Sequence, residues 1–207
     1  DCRKLVKVPN SFPSLQELHI TESNAVTVNS VAGNLTFLSY LQIKGILDLI
    51  LLPQGLLHNN KFLHCLIIMD CPRFQSFPFI ELKCLSSLKR LTMGGFSEKQ
   101  ISFPFPNNEN RGAFQVQQHL LALHELEIVG WSTLTSLPDG LQCLITLEKL
   151  TISRFPKLRV LPEWFGRLSS LQFLMIGECK KLTSLPSKEE MGRLTKLRRL
   201  KFVTAHI

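Results

Sequence analysis

The sequence predicts an α/β solenoid. This is a coil of stacked strand-and-loop units, with a curved parallel β-sheet on the concave face and irregular loops and short helical turns on the convex face. Three observations predict it: an apolar motif that recurs eight times, a near-constant spacing between its copies, and a turn signal at a fixed distance after most of them.

The motif reads Leu-x-x-Leu-x-(Ile/Met/Phe). Its copies are Leu15-Leu18-Ile20, Leu38-Leu41-Ile43, Leu63-Leu66-Ile68, Leu88-Leu91-Met93, Leu123-Leu126-Ile128, Leu147-Leu150-Ile152, Leu171-Leu174-Ile176 and Leu197-Leu200-Phe202. The middle leucine recurs at spacings of 23, 25, 25, 35, 24, 24 and 26 residues. That gives about eight repeats of ~24 residues, the period of a leucine-rich repeat. The alternating Leu-x-Ile pair points both side chains to one face of a short strand. One repeat cannot bury that face alone, but stacked repeats build a continuous core with nearest-neighbour stability. Eight strands paired in parallel ~4.8 Å apart would make a curved sheet roughly 35 Å long.

The turn signal follows. Three residues after the Ile comes a Cys or aromatic, then a Leu, then Leu-Pro. The clear cases are Cys71-Phe74-Phe77-Pro78, Trp131-Leu134-Leu137-Pro138, Phe155-Leu158-Leu161-Pro162 and Cys179-Leu182-Leu185-Pro186, with Ile46-Leu49-Leu52-Pro53 a looser one. Proline lacks a backbone N–H and ends extended pairing, so the chain turns back. Apolar residues of the return segment, such as Leu141 and Leu144, close the coil. The opening Cys2-x-x-Leu5-x-x-Val8-Pro9 matches the second half of a repeat whose strand is absent, and neither end shows a distinct cap. The reading is therefore a single leucine-rich repeat domain over 1–207, a fragment of a larger chain. The spacing of 35 marks an insertion at about 96–119. Its Phe103-Pro104-Phe105-Pro106 and polar Asn107 to Gly112 read as a mobile loop, either a partner-binding loop or a neutral insertion.

Composition fits a soluble globular domain, with 44% hydrophobic and 19% charged residues in 207. The densest apolar run, Ile46 to Leu57, is broken by Asp48, Pro53 and Gln54, so no membrane span is expected. No apolar stretch follows Asp1-Cys2-Arg3-Lys4 to make a signal peptide. Net charge is +8 and uneven: residues 1–148 hold 11 Lys+Arg against 12 Asp+Glu, and residues 149–207 hold 13 against 4. A basic end suits nucleic acid, anionic lipid or an acidic protein surface, and equally a solvated face.

The cysteines, Cys2, Cys65, Cys71, Cys84, Cys143 and Cys179, read as free thiols. Cys71 and Cys179 share a column four repeats apart, and Cys84 and Cys143 one two repeats apart, beyond the reach of a disulfide. Free thiols suit a reducing compartment. The single sequon, Asn34-Leu35-Thr36, is weak evidence for secretion. No phosphate-binding Gly-x4-Gly-Lys-(Ser/Thr) loop or Gly-x-Ser-x-Gly elbow occurs, and His124-Glu125 lacks the second histidine of a zinc-protease helix. His19, His64 and His124 fall in alternate repeats, about 10 Å apart or more, too far for a shared metal. No catalysis, metal or cofactor is expected of this chain.

What remains is the outward side of the strands. The residue before each middle Leu gives the column Glu17, Tyr40, Cys65, Arg90, Glu125, Lys149, Phe173, Arg199. The residue after it gives His19, Gln42, Ile67, Thr92, Glu127, Thr151, Met175, Lys201. Glu125, Glu127 and Glu148 read as an acidic patch, and Arg198, Arg199 and Lys201 as a basic end. Ile67, Met69, Phe173 and Met175 read as exposed apolar residues that suggest a partner surface. Lone exposed apolar residues are also ordinary. The candidate partner-binding concave face is thus Tyr40, Ile67, Met69, Arg90, Glu125, Glu127, Lys149, Phe173, Met175, Arg198, Arg199 and Lys201.

The combined signature Leu-x-x-Leu-x-Ile-x-x-Cys-x-x-Leu-x-x-Leu-Pro resembles the C-terminal repeats of plant intracellular nucleotide-binding leucine-rich-repeat (NB-LRR) disease resistance proteins, nearest to their coiled-coil class. Leu171 to Pro186 is the nearest copy and Leu147 to Pro162 the next, and the resemblance covers nearly the whole chain. Extracellular plant receptors usually carry Asn where this sequence has Cys71, Trp131, Phe155 and Cys179, and add Gly-x-Ile-Pro; neither feature is here. Repeats 1 and 4 depart from the pattern, with Ser23 and Phe96 at the Cys position, which leaves their register open. The resemblance implies a recognition and autoinhibitory module of plant innate immunity. Such a module senses a pathogen effector or an effector-modified host protein and packs against a nucleotide-binding domain until displaced. It implies that ATP or ADP sits in that other domain. It also implies a cytoplasmic location, with the nucleus and the inner membrane periphery as alternatives. A generic leucine-rich repeat scaffold or adaptor without a defence role is the alternative. Nucleic-acid binding through the basic end is the least supported, because aromatics near it for stacking are few, mainly Phe173 and Phe202.

Overall fold

Alternation of Leu with Ile over five residues puts each copy of the motif into a short strand with one apolar face. The computed structural model describes residues 4–5, 8–9, 12–31, 35–75, 82, 84–96, 120–132 and 134–204. Cys2, Asn34, Phe77-Pro78 and the insertion from residue 97 to 119 lie outside the described residues. The strands are β1 (Glu17–Thr21), β2 (Tyr40–Lys44), β3 (Cys65–Met69), β4 (Arg90–Gly94), β5 (Glu125–Val129), β6 (Lys149–Ser153), β7 (Phe173–Gly177) and β8 (Arg199–Val203). They form one eight-stranded sheet in chain order, every pairing parallel. The α/β leucine-rich repeat solenoid read from the motif is the architecture observed.

The register follows the motif. Leu18, Leu41, Leu66, Leu91, Leu126, Leu150, Leu174 and Leu200 stand in one row, and Ile20 to Phe202 in the next. Repeats 1 and 4 pair in line with the rest. The longer connection between β4 and β5 leaves Leu91 opposite Leu126. From β2 to β7 both rows are buried and form the spine of the core.

Two residues after each Ile the backbone enters the left-handed region. Glu22, Gly45, Asp70, Gly95, Gly130, Arg154 and Glu178 have φ between 48° and 72°. Each still donates its N–H to the next repeat, for example Asp70 to the Gly94 carbonyl at 2.9 Å and Glu178 to that of Val203 at 2.9 Å. The ladder is thereby extended by one residue as the chain leaves the sheet. For the non-glycine members this conformation costs about 1–2 kcal/mol each, offset by the ladder bond.

The Cys-or-aromatic position then plugs the coil. Cys71, Trp131 and Phe155 are buried there. Aromatic rings run on from coil to coil: Phe74 to Phe96 at 5.2 Å, Phe96 to Trp131 at 5.4 Å, Trp131 to Phe155 at 6.3 Å. The Cys71 and Cys179 thiols donate to the carbonyls of Met69 and Gly177, each at 3.3 Å. Burial pushes the Cys71 thiol up to about 11. The described cysteines, Cys65, Cys71, Cys84, Cys143 and Cys179, are free.

On the convex side the returns are short helical turns: α1 (Ala25–Val31), 3-10 turns at Asp139–Cys143 and Glu163–Arg167, and α2 (Lys188–Gly192). Extended Pro138 and Pro162 precede the two 3-10 turns. A proline is well placed at a helix start, because the N–H it lacks would have no partner there. Leu141 and Leu144 are buried in the first of them, as the pattern implied. The second repeat returns differently, around buried Asn60. Its amide donates to the Leu35 carbonyl (2.9 Å) and the Leu56 carbonyl (2.7 Å), and its oxygen accepts from Leu38 N–H (2.9 Å). Among the described residues no helix is long and apolar enough to cross a membrane.

Candidate functional site

Every strand turns alternate residues away from the core, and the in-line register stacks them into columns across the concave face. In the first column, from Glu17 to Arg199, the stretch from Arg90 onward is a chain of contacts. His19 in the neighbouring column stacks on the Tyr40 ring with centroids 4.6 Å apart, and the Tyr40 hydroxyl donates to Gln42 at 2.9 Å. Burial pushes the Tyr40 phenol and the Cys65 thiol above their ordinary values.

Further along, Arg90 Nε donates to Glu125 Oε2 at 2.8 Å, and Lys149 Nζ lies 3.5 Å from the same oxygen. The Arg90 hydrogen bond, opposed by desolvation, holds the Glu125 carboxyl below its ordinary value of 4.5. Lys149 also stands 5.8 Å from the Phe173 ring centroid on one side, and the Arg199 guanidinium 5.8 Å on the other. Five of the candidate residues, Arg90, Glu125, Lys149, Phe173 and Arg199, thus join in one line over β4 to β8.

Two sequence expectations are corrected by this geometry. Glu125, Glu127 and Glu148 do not form an acidic patch, because Glu125 is neutralised between Arg90 and Lys149. Glu127 accepts from the Thr92 hydroxyl at 3.5 Å and Glu148 is exposed. Ile67, Met69, Phe173 and Met175 are half-buried rather than exposed. For Phe173 the covering groups are the two cations. Arg198, just before β8, and Arg199 and Lys201 on it are all exposed.

Between the columns lies a hollow of about 250 Å³ lined by Ile67, Arg90, Thr92, Glu125, Glu127, Lys149 and Thr151. A second, of about 470 Å³, is lined by His64, Cys65, Lys89, Arg90, His124, Glu125 and Glu148. Thr92 and Thr151 are buried on the concave side. Sequence reasoning passed over both as surface threonines, and their small size beside bulkier column neighbours is the signal that would have found them. Tyr40 and the basic end lie at opposite ends of the sheet and are not brought together. Among the described residues no group of His, Cys, Asp or Glu is placed to hold a metal ion. Chemically the described face offers an ion-pair network centred on Glu125, the Glu127 carboxylate beside the Thr92 hydroxyl, and half-buried apolar side chains on either side.

No protein-family model matches this chain, and no curated protein matches its sequence. Solved structures do. An internalin (inlF) of Listeria monocytogenes aligns with 94% of this chain at 15% identity and a TM-score of 0.49. A leucine-rich repeat protein of Leptospira interrogans aligns with 91% at 20% identity and a TM-score of 0.46. The plant peptide hormone receptor RGFR1, in complex with RGF2, aligns with 93% at 14% identity and a TM-score of 0.46. The chain spans 63%, 54% and 37% of those three chains' lengths.

Proposed function

We propose that the concave sheet is a protein-recognition surface, and that the chain serves as the recognition and autoinhibitory module of a plant intracellular immune receptor. The observation that carries the first part is the register. It delivers one variable side chain per repeat to each column of a continuous open face, while the repeated leucines hold the coil behind it. Half-buried Ile67, Phe173 and Met175 around charged hollows support contact with a protein, since partner surfaces combine apolar anchors with a polar rim. Among the described residues the face carries no arrangement of nucleophile, base and orienting group, and this reading assigns it binding rather than chemistry.

The repeat signature supports the second part. In this reading the partner is a pathogen effector or an effector-modified host protein, and a nucleotide-binding domain of the same receptor is the second surface engaged. ATP or ADP belongs to that domain, because the phosphate-binding loop it needs is absent from this sequence. Displacement of the repeats by the partner shifts a two-state equilibrium.

The test is expression in leaf tissue of the receptor gene encoding this chain, with Phe173→Ala/Met175→Ala or Ile67→Ala/Met69→Ala. Cell death is scored with and without candidate effectors. Spontaneous death in a variant that accumulates normally places that part of the face against the nucleotide-binding domain. Loss of effector-triggered death with quiet basal behaviour places it in recognition. Absence of death with every version and effector replaces the immune reading with that of a scaffold or adaptor.

A further inference from the structure

One column of the concave face is built unlike the others. The register sets Ile67, Thr92, Glu127, Thr151 and Met175 side by side on β3 to β7. Its ends are half-buried apolar side chains, its centre is a half-buried carboxylate, and the threonines between them are buried. The two nearby cations, Arg90 and Lys149, are both turned onto Glu125. Among the described residues Glu127 is left with the Thr92 hydroxyl at 3.5 Å and no counter-charge.

A partner that closes over this hollow strips water from Glu127. A carboxylate buried without a counter-charge is strongly disfavoured, so an occupant stays only if it brings a cation to that point. An acidic occupant is repelled. With strands ~4.8 Å apart, Glu127 stands about 10 Å from Ile67 and from Met175. Three residues of an extended polyproline-II segment rise about 9.3 Å and return a side chain to the same face.

We propose that this column is the docking line for a protein segment of the form apolar-x-x-(Arg/Lys)-x-x-apolar, running across the strands with its basic side chain on Glu127 and its apolar side chains on Ile67 and Met175. This names the partner chemistry of the recognition surface proposed above and rests on that reading.

The experiment is selection of a phage-displayed random nonapeptide library on the full 207-residue chain, repeated with Glu127→Gln, Glu127→Lys, Ile67→Ser/Met175→Ser and Phe173→Ala. The wild type is expected to enrich Arg or Lys over Glu by at least about tenfold at one position, with apolar residues three before and three after. Glu127→Gln removes one half-buried charge without an ion-pair partner among the described residues and is expected to leave the melting temperature nearly unchanged. It is expected to abolish the basic preference while the apolar positions persist, and Glu127→Lys to invert it towards Asp or Glu. Ile67→Ser/Met175→Ser is expected to lose the apolar positions. A basic preference unchanged in Glu127→Gln, no charge preference, or an acidic one overturns the proposal. If retention then still falls with Phe173→Ala, the recognition surface stands and only the docking line fails. Retention indifferent to every one of these substitutions, or no retained sequence at all, counts against both.

Discussion

β6 and β8 carry the same alternation, Leu150-x-Ile152 and Leu200-x-Phe202, yet they end in different environments. Leu150 and Ile152 are 1% and 0% exposed, whereas Leu200 and Phe202 are 42% and 56% exposed. The strands are equal in length and both pair in register with β7. What differs is that β6 has a described strand on each side and β8 on one only. Burial in this fold is therefore a property of neighbours, not of the strand's own sequence, as expected for a quasi-one-dimensional stack. The apolar side chains that hold the interior are at the last described strand an open surface.

The harshest way to break the interior is Gly94→Ala on β4. Gly94 has φ +153°, and an added Cβ would lie 1.9 Å from the Val129 carbonyl oxygen. Backbone cannot yield there without losing the β4–β5 pairing. The expected loss is above about 4 kcal/mol, or failure to fold, read by urea denaturation and by soluble yield. Next comes the comparison itself. Leu150→Ala should cost about 2–5 kcal/mol, through lost burial and the cavity left behind. Leu200→Ala should cost less, about 1–2 kcal/mol, because 42% of the residue stays exposed to water and its truncation leaves no enclosed cavity. Equal losses would mean that stability is not handed from repeat to repeat.

Asn60 sharpens the contrast on the convex side. Asn60→Ala leaves the Leu38 N–H and the Leu35 and Leu56 carbonyls short of partners in a buried return. The expected cost is about 2–3 kcal/mol by chemical denaturation, more than for a comparable change in the exposed turns of α2. Chemical reactivity gives a gentler probe. The Cys71 thiol, held up to about 11 by burial, should resist iodoacetamide at pH 8 until the chain unfolds. Below the ordinary value of 9.0 the thiol is neutral folded or unfolded, and stability falls as pH rises from 9.0 to about 11, where the unfolded thiol ionises first. The smallest effect is on the concave face. Glu125 has a depressed pKa, so its contribution is present above pH 4.5 and lost as pH falls below it. Glu125→Gln should flatten the acid limb of a pH–stability profile without moving the neutral plateau far, and salt should act likewise on the wild type.

The fold was legible because it depends on periodicity. Leu and Ile at fixed intervals dictate strand, inward face and register together, and even the departures at Ser23 and Phe96 did not disturb the pairing. The columns of the concave face were legible for the same reason. Their electrostatics were not, because whether Glu125 is an acid or half of an ion pair depends on which residue a neighbouring repeat, 24 or 35 positions away, places beside it. Phe173 looked exposed for the same reason: two cations from adjacent strands cover it. Asn60 lay unremarked in a polar stretch, His58 to Lys61, where nothing distinguishes the one buried amide from its exposed neighbours. The left-handed position after each strand was hidden because Glu, Asp and Arg occupy it as often as Gly, the ladder bond compensating the strain.

The claim underneath all of this is a division of labour within each strand: inward leucine and isoleucine hold the coil, and the residues between them are free to serve recognition. Alanine substitution at each β6 residue in turn (Lys149, Leu150, Thr151, Ile152 and Ser153), followed by urea unfolding, measures it directly. The account predicts a period-two pattern, with losses of about 2–5 kcal/mol at Leu150 and Ile152 and about 1 kcal/mol or less at the other three. A flat profile, or one in which Lys149 or Ser153 costs as much as Leu150, would contradict it.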